Sequence, residues 1–174
     1  MGKMSQKQDI LWNGEKAALV AKILRQADKI LVGIGAGFSA AAGLRPLPLE
    51  QKLSEEAYWP FWLPYIQEQR LNKETPLLYK QLAQLLEGTD YFVIDSNPDG
   101  FLQRSGLELA RIYKAQGDMA RVQCSRNCQN HSWIGKQYFA QITEDPTSIP
   151  KSPHCGAPLV MNVYVGKNFC EERY

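Results

Sequence analysis

The backbone best suited to hold a ligand lies in Gly33-Ile34-Gly35-Ala36-Gly37-Phe38-Ser39-Ala40-Ala41-Ala42-Gly43, which follows the apolar run Ile30-Leu31-Val32 and passes into alanines. That order predicts a strand, a tight glycine turn and a helix start. Glycine lets a backbone approach a ligand closely, and the free N–H groups and dipole of a new helix favour a phosphate. Gly35-x-Gly37-x-x-Ala40 also fits the dinucleotide fingerprint with alanine in third place. The plainer alternative is a glycine turn that binds nothing. A second strand, Tyr91-Phe92-Val93-Ile94, ends in Asp95-Ser96-Asn97-Pro98-Asp99-Gly100, a polar turn at the carboxyl edge where open α/β sheets bind ligands. The same residue types also make ordinary Asx turns.

Four cysteines form the third group of chemical interest. Cys124 and Cys128 are three residues apart, and Cys155 follows in the turn-like Ser152-Pro153-His154-Cys155-Gly156. Two knuckles separated by a long excursion match a structural zinc ribbon, whose thiolates close a tetrahedron around the ion. Ser152 stands where a fourth cysteine would complete the second knuckle, and His131, His154 or Cys170 could supply the missing contact. Small buried residues at the remnant of a lost site are the alternative.

The elements that must position these groups alternate in type. Asn13 reads as an N-cap, and Val20, Ile23, Leu24 and Ala27 recur with helical spacing as a buried stripe. Leu44-Arg45-Pro46-Leu47-Pro48 breaks regular structure and opens a loop or short irregular lobe. The aromatics of Tyr58-Trp59-Pro60-Phe61-Trp62-Leu63-Pro64-Tyr65 could line a cleft, but burial is their first use, so a hydrophobic cluster is expected. Thr75 and Pro76 begin a second helix with Leu78, Leu82 and Leu85 as its stripe, ending before Gly88. Arg111-Ile112-Tyr113-Lys114-Ala115 is a weak third strand leading into Gln116-Gly117. Strands alternating with helices predict an α/β fold, a Rossmann-like parallel sheet covered by helices, with a small zinc-ribbon-like lobe.

Composition narrows the function classes. The 174 residues are 44% hydrophobic and 22% charged, as in one ordinary folded domain. A net charge of +2 without a basic block argues against a nucleic-acid or membrane partner. Met1 to Asp9 is polar and expected to be loosely held, with no signal-peptide character, and Ile30 to Leu44 is too short and glycine-rich to span a bilayer. A cytoplasmic location is expected, where metal binding or burial of cysteine is commoner than disulfides.

Taken together, the chain resembles the sirtuins, a family that couples NAD cleavage to transfer chemistry on proteins. The resemblance runs from about Ala27 to Val165 and rests on Gly35-Ala36-Gly37-Phe38-Ser39-Ala40, Asn97-Pro98-Asp99-Gly100, Gln116-Gly117 and the cysteine knuckles, in the family's order. It implies one sirtuin-type domain over 1–174, with a Rossmann-like part at 10–120 and a zinc-ribbon-like lobe at 121–160. It also implies that Gly35, Ala36, Gly37, Ser39 and Ala40 cradle the cofactor's pyrophosphate. Asn97 and Asp99 would shape the nicotinamide and ribose pocket, and Cys124, Cys128 and Cys155 would hold zinc.

Three departures qualify that expectation. Gln116 stands where deacylating sirtuins place a histidine that acts as a base on the ribose hydroxyls, and a neutral amide cannot take up a proton. This glutamine resembles the macrodomain-linked microbial sirtuins, associated with mono-ADP-ribosylation of a lipoyl-carrier protein. Gln116 would then position the ribose without acting as a base. Second, Arg45, Leu47 and Pro48 occupy the places of a proline-x-phenylalanine-arginine segment in the cofactor loop. Third, the chain stops at Tyr174, before the strands that bind the adenosine half in the family. The missing C-terminal half should weaken NAD binding and expose an apolar sheet face. Two readings follow: an NAD-dependent protein ADP-ribosyltransferase, or a degenerate, non-catalytic module that binds a nucleotide or a protein.

Overall fold

A computed structural model describes residues 14–48, 52–165 and 167–171; the expected N-cap at Asn13 and the polar opening lie outside them. Three strands form a parallel sheet in the order β1 (Ile30–Ile34), β2 (Tyr91–Asp95), β3 (Ile112–Lys114). Ile30 lies opposite Tyr91 and Ile34 opposite Asp95, so the glycine turn and the Asp95–Gly100 turn leave the same edge of the sheet side by side. Parallel strands need crossovers. Between β1 and β2 the chain forms α2 (Ala36–Ala41), α3 (Glu55–Ile66), a π-helical segment Gln67–Leu71 and α4 (Leu77–Leu86).

One face of this sheet carries the first core. Ile34, Tyr91 and Val93 pack with Leu44, Tyr79, Leu86, Phe101, Leu102 and Leu107. Side chains alternate across a strand, and the other face presents Leu31, Phe92, Ile94 and Tyr113, all exposed. Parallel sheets are usually covered on both faces, and among the described residues this one is not. Helix α1 (Gly14–Gln26) forms as its periodicity predicts, but none of its residues is buried: Val20 and Ile23 of the expected core stripe are exposed, and Ala27 lies beyond its end. In α4, Pro76 is the N-cap rather than the first helical residue. Tyr79 and Leu86 are its buried positions, while Leu85 faces solvent.

The aromatic stretch is a helix, not an irregular lobe. Ser54 caps α3 by accepting from the Ala57 N–H at 3.3 Å, and Pro60 and Pro64 both lie on the exposed side, where the carbonyls they leave unpaired meet water. The expected hydrophobic cluster is present: Trp59, Trp62, Leu63 and Ile66 pack against a second sheet through Met119, Val122, Leu159, Met161 and Val163, with Phe139 from the helix beside it. That sheet is antiparallel, with β4 (Gly117–Cys124) between β5 (Ser132–Ile134) and β6 (Leu159–Val163), and α5 (Lys136–Glu144) against it. The Trp59 indole N–H donates to the Leu159 carbonyl at 3.0 Å and pins α3 to β6.

Gly117 opens β4 with φ +88°, a conformation that only glycine adopts cheaply, and a Cβ there would run into the Asn162 carbonyl and the Phe169 ring. Gly117→Ala is expected to cost about 1–3 kcal/mol from the backbone conformation alone, with the overlap adding to it. A urea midpoint within error of wild type would show that β4 and β6 do not pack this closely.

Candidate functional site

The two turns at the carboxyl edge of the first sheet close on one another. Gly35 is the N-cap of α2, and the first N–H groups of a helix have no partner within it. Gly37 has open space where a Cβ would stand, so a ligand can reach the backbone there. Across the cleft, Asp95 Oδ1 accepts the Asn97 N–H at 2.8 Å, and Asn97 Nδ2 donates to the Gly35 carbonyl at 3.1 Å. This second bond ties the polar turn directly to the glycine turn.

Asp99 is the most heavily bonded group at the site. Its Oδ2 accepts from the hydroxyls of Ser39 and Tyr79, each at 2.8 Å, and its Oδ1 accepts the Phe101 N–H at 3.0 Å. Tyr79 reaches it from α4, buried in the first core, and burial followed by the Asp99 charge pushes its phenol well above the usual value. The hydroxyl therefore stays protonated and serves as a donor.

A cleft of about 210 Å³ is lined by Ala36, Ser39, Ala40, Asn97, Asp99 and Gln116 on its polar side, and by Leu44, Leu47, Tyr65 and Met119 among its apolar residues. Six of the eight residues that the sequence singles out, Ala36, Ser39, Ala40, Asn97, Asp99 and Gln116, thus line one cleft. Gly35 and Gly37 are not in the lining, and Gly35 acts from behind, with its carbonyl on Asn97. The loop at Arg45 is held from α3 and the π segment: its N–H donates to Gln69 Oε1 at 3.0 Å, its carbonyl accepts from the Tyr65 hydroxyl at 2.9 Å, and its guanidinium pairs with Glu68. Sequence reasoning did not find Tyr65, Gln69 or Tyr79 as parts of the site. Tyr65 was visible only as one aromatic of a cluster, and nothing local marks Gln69 or Tyr79.

Comparison with known proteins gives the arrangement a family context. No family model matches the chain. Among solved structures, a Sir2 homologue bound to 2′-O-acetyl ADP ribose superposes with a TM-score of 0.65 at 20% identity, over 83% of this chain and 61% of that one. A Sir2 complex with a p53 peptide and NAD+ superposes with a TM-score of 0.60 at 20% identity, over 87% of this chain and 64% of that one. The fold is that of the sirtuins. In sequence, this sirtuin-like chain is 26% identical to a protein ADP-ribosyltransferase of Staphylococcus aureus, over 85% of its own length and 56% of that protein. It is 27% identical to a probable bifunctional ADP-ribose hydrolase/ADP-ribosyltransferase of Fusarium oxysporum f. sp. cubense, over 90% of its own length and 32% of that protein. The chain therefore spans about half of the first relative and a third of the second. Among the described residues, no helix is long and apolar enough to cross a membrane.

The cysteine cluster lies on the second sheet. Cys124 at the end of β4, Cys128 and Cys155 place their sulfurs within 4.8 Å of one another, with Cys124 and Cys155 at 3.5 Å. Three thiols this close fit a zinc ion, and the Ala157 N–H bonded to Cys155 helps to bring that thiol down to about 7, towards the thiolate that a metal needs. Ser152 Oγ stands 3.6 Å from Cys128 Sγ. The other fourth-ligand candidates are engaged elsewhere: His131 and His154 flank the Trp133 ring at 4.9 and 6.2 Å, and Cys170 is buried outside the cluster. Purified protein is expected to carry about one zinc per chain and to lose it on Cys155→Ser, while Ser152→Cys should slow its removal by a chelator. Equal zinc content in wild type and Cys155→Ser, read by elemental analysis, would refute this site.

Asp95 is fully buried beneath the cleft, and its Oδ2 has no partner. Burial, with the Asp99 charge adding to it, raises its carboxyl to about 7 despite the Asn97 N–H. The folded protein thus keeps a proton that the unfolded chain releases near pH 4, and stability contributed by this group falls as pH rises from about 4 to 7. Asp95→Asn, which keeps the acceptor for Asn97 and cannot ionise, should gain stability over wild type across that interval and level off above it. A pH-independent difference in urea midpoint would contradict the assignment.

Proposed function

We propose that this chain transfers ADP-ribose from NAD to a protein acceptor and does not remove acyl groups. The carrying observation is that Gln116 lines the same cleft as Asn97 and Asp99. The wall on which the family resemblance places a base has none, because an amide can bond to a ribose hydroxyl but cannot accept its proton. Bound NAD would supply an ADP-ribosyl group, the acceptor's nucleophile taking its C1′ as nicotinamide leaves. The backbone N–H groups of Ala36 and Gly37, with Ser39 and Ala40 beside them, would hold the pyrophosphate. Asn97 gives one Nδ2 hydrogen to the Gly35 carbonyl, and its Oδ1 would be the acceptor that it offers to nicotinamide or ribose. Asp99, fixed by three donors, would place negative charge beside the reacting sugar, where positive charge develops as nicotinamide departs. Zinc at Cys124, Cys128 and Cys155 would be structural.

The names of the two sequence relatives support this reading. One of them joins an ADP-ribose hydrolase to an ADP-ribosyltransferase, which favours a pairing with a hydrolase that removes the modification. In the same proposal the acceptor is a lipoyl-carrier protein, the hydrolase a macrodomain protein and the setting cytoplasmic, with 10–120 as the nucleotide-binding part and 121–160 as the metal lobe. A non-catalytic binding module is the second reading, favoured by Arg45, Leu47 and Pro48 in place of the family's cofactor-loop residues.

The full chain is given NAD labelled on its adenylate phosphate together with a lipoyl-carrier protein, and separately with an acetyl-lysine peptide. Label on the carrier with the peptide untouched is expected, and Gln116→His should add a pH dependence near 6.5 to NAD consumption. Acetyl removal without labelling would overturn the proposal. Saturable NAD binding by calorimetry with no turnover would establish the second reading instead.

A further inference from the structure

We propose that Arg70 is a positioning residue for this cleft, fastening the Asn97–Gly100 turn to the start of β4 so that Asp99 and Gln116 keep a fixed separation. The proposal rests on reading the cleft as an NAD site. Arg70 lies in the π-helical segment Gln67–Leu71 that continues α3, and there Gln69 and Arg70 both turn inward. Its side chain is only 12% exposed. One end of the guanidinium, Nη1, donates to the Asp99 carbonyl, and the other, Nη2, stands 2.8 Å from the Asp118 carboxylate.

Asp118 is two residues past Gln116. It accepts the Ala120 N–H at 2.8 Å and pairs with Lys114 at 3.0 Å, so it is itself anchored to β3 and β4. Burial works against its ionisation, but the charges of Lys114 and Arg70, together with the Ala120 N–H and the Lys114 hydrogen bond, hold the carboxyl below the usual value. The Met119 N–H donates to the Pro98 carbonyl at 3.0 Å, and the guanidinium is the side-chain fastening beside that backbone contact.

Gly100 shows that this seat is built into the sequence. It has φ +70°, and a Cβ there would occupy the position of the Arg70 guanidinium. The Asp99-Gly100 pair thus serves two ends: the aspartate carboxylate faces the cleft, and the glycine admits the cation that holds its carbonyl. A lysine at position 70 has one ammonium and no fork, and cannot bridge a carbonyl and a carboxylate in the same way. Replacing Arg70 by an uncharged residue leaves the Lys114 and Asp118 pair intact, so no buried carboxylate is stranded.

The test compares full-length wild type with Arg70→Met, Arg70→Lys and Gly100→Ala by backbone hydrogen exchange and by NAD consumption. In Arg70→Met, exchange over 97–101 and 116–119 should quicken at least about tenfold while 159–163 keeps its protection. The kcat for NAD should fall at least about tenfold with KM changed less than about threefold, because the cleft persists while its two walls drift. Arg70→Lys should recover only part of that loss, and Gly100→Ala should reproduce it; these two carry the test if Arg70→Met does not fold. Unchanged exchange in both segments, or full recovery of kcat by lysine, would overturn the role. If wild type neither binds nor consumes NAD, the cofactor reading fails by itself and exchange alone decides whether Arg70 fastens the two walls.

Discussion

Everything at the cleft depends on keeping one carboxylate, that of Asp99, almost out of water. A charge in that position is tolerable only when donors replace its hydration, and the three donors come from three different parts of the chain. Ser39 belongs to the helix after the glycine turn, Tyr79 to α4 and Phe101 to the segment leading towards β3. The crossover from β1 to β2 is therefore tied to the sheet by apolar packing and by this shared acceptor. Phe38 on α2 meets the Tyr79 ring edge-on at 5.0 Å, which sets the phenol's direction as well as its depth.

The two hydrophobic cores do not merge along their common border. Between them lies a polar seam containing Arg70, Asp118, Lys114 and the Asn97–Gly100 turn, while the cleft opens where α3, α2 and β4 approach one another. Polar groups buried at such a border add little net stability and much definition, since each has few alternative partners. A site between two separately packed units also gains from their rigidity, because each wall is backed by its own core.

The parts of the site that could be read in the sequence are those whose chemistry is local. Gly35, Gly37, Asn97, Asp99 and the three cysteines each sit in short stretches whose residue types already suggest turns or ligands, whereas Gln116 is picked out only by the family resemblance. What escaped was supplied across distance. Tyr79 is an unremarked residue on a helix until Asp99 is brought to it, and Gln69 and Arg70 lie in a polar run with no turn or ligand signal of its own. Pro60 and Pro64 hid a helix, because they break one only where the lost donors matter, and here both face water. The stripe on α1 has the opposite lesson: Val20, Ile23 and Leu24 announce a helix through their spacing, yet spacing does not say what will cover them.

Strand β4 begins with Gly117 beside Gln116 and ends with Cys124 among the thiols, so one strand carries a wall of the cleft at one end and a metal ligand at the other. Its pairing with β6 is not continuous, for the register shifts between Asp118 and Val122. A bulge bends its strand and raises the local twist, which re-aims the residues on either side of it. The bend falls between the end of β4 that borders the cleft and the end that carries Cys124, so the two ends are aimed by separate runs of pairing with β6, Gly117 and Asp118 against Val163 and Asn162, and Val122 to Cys124 against Met161 to Leu159.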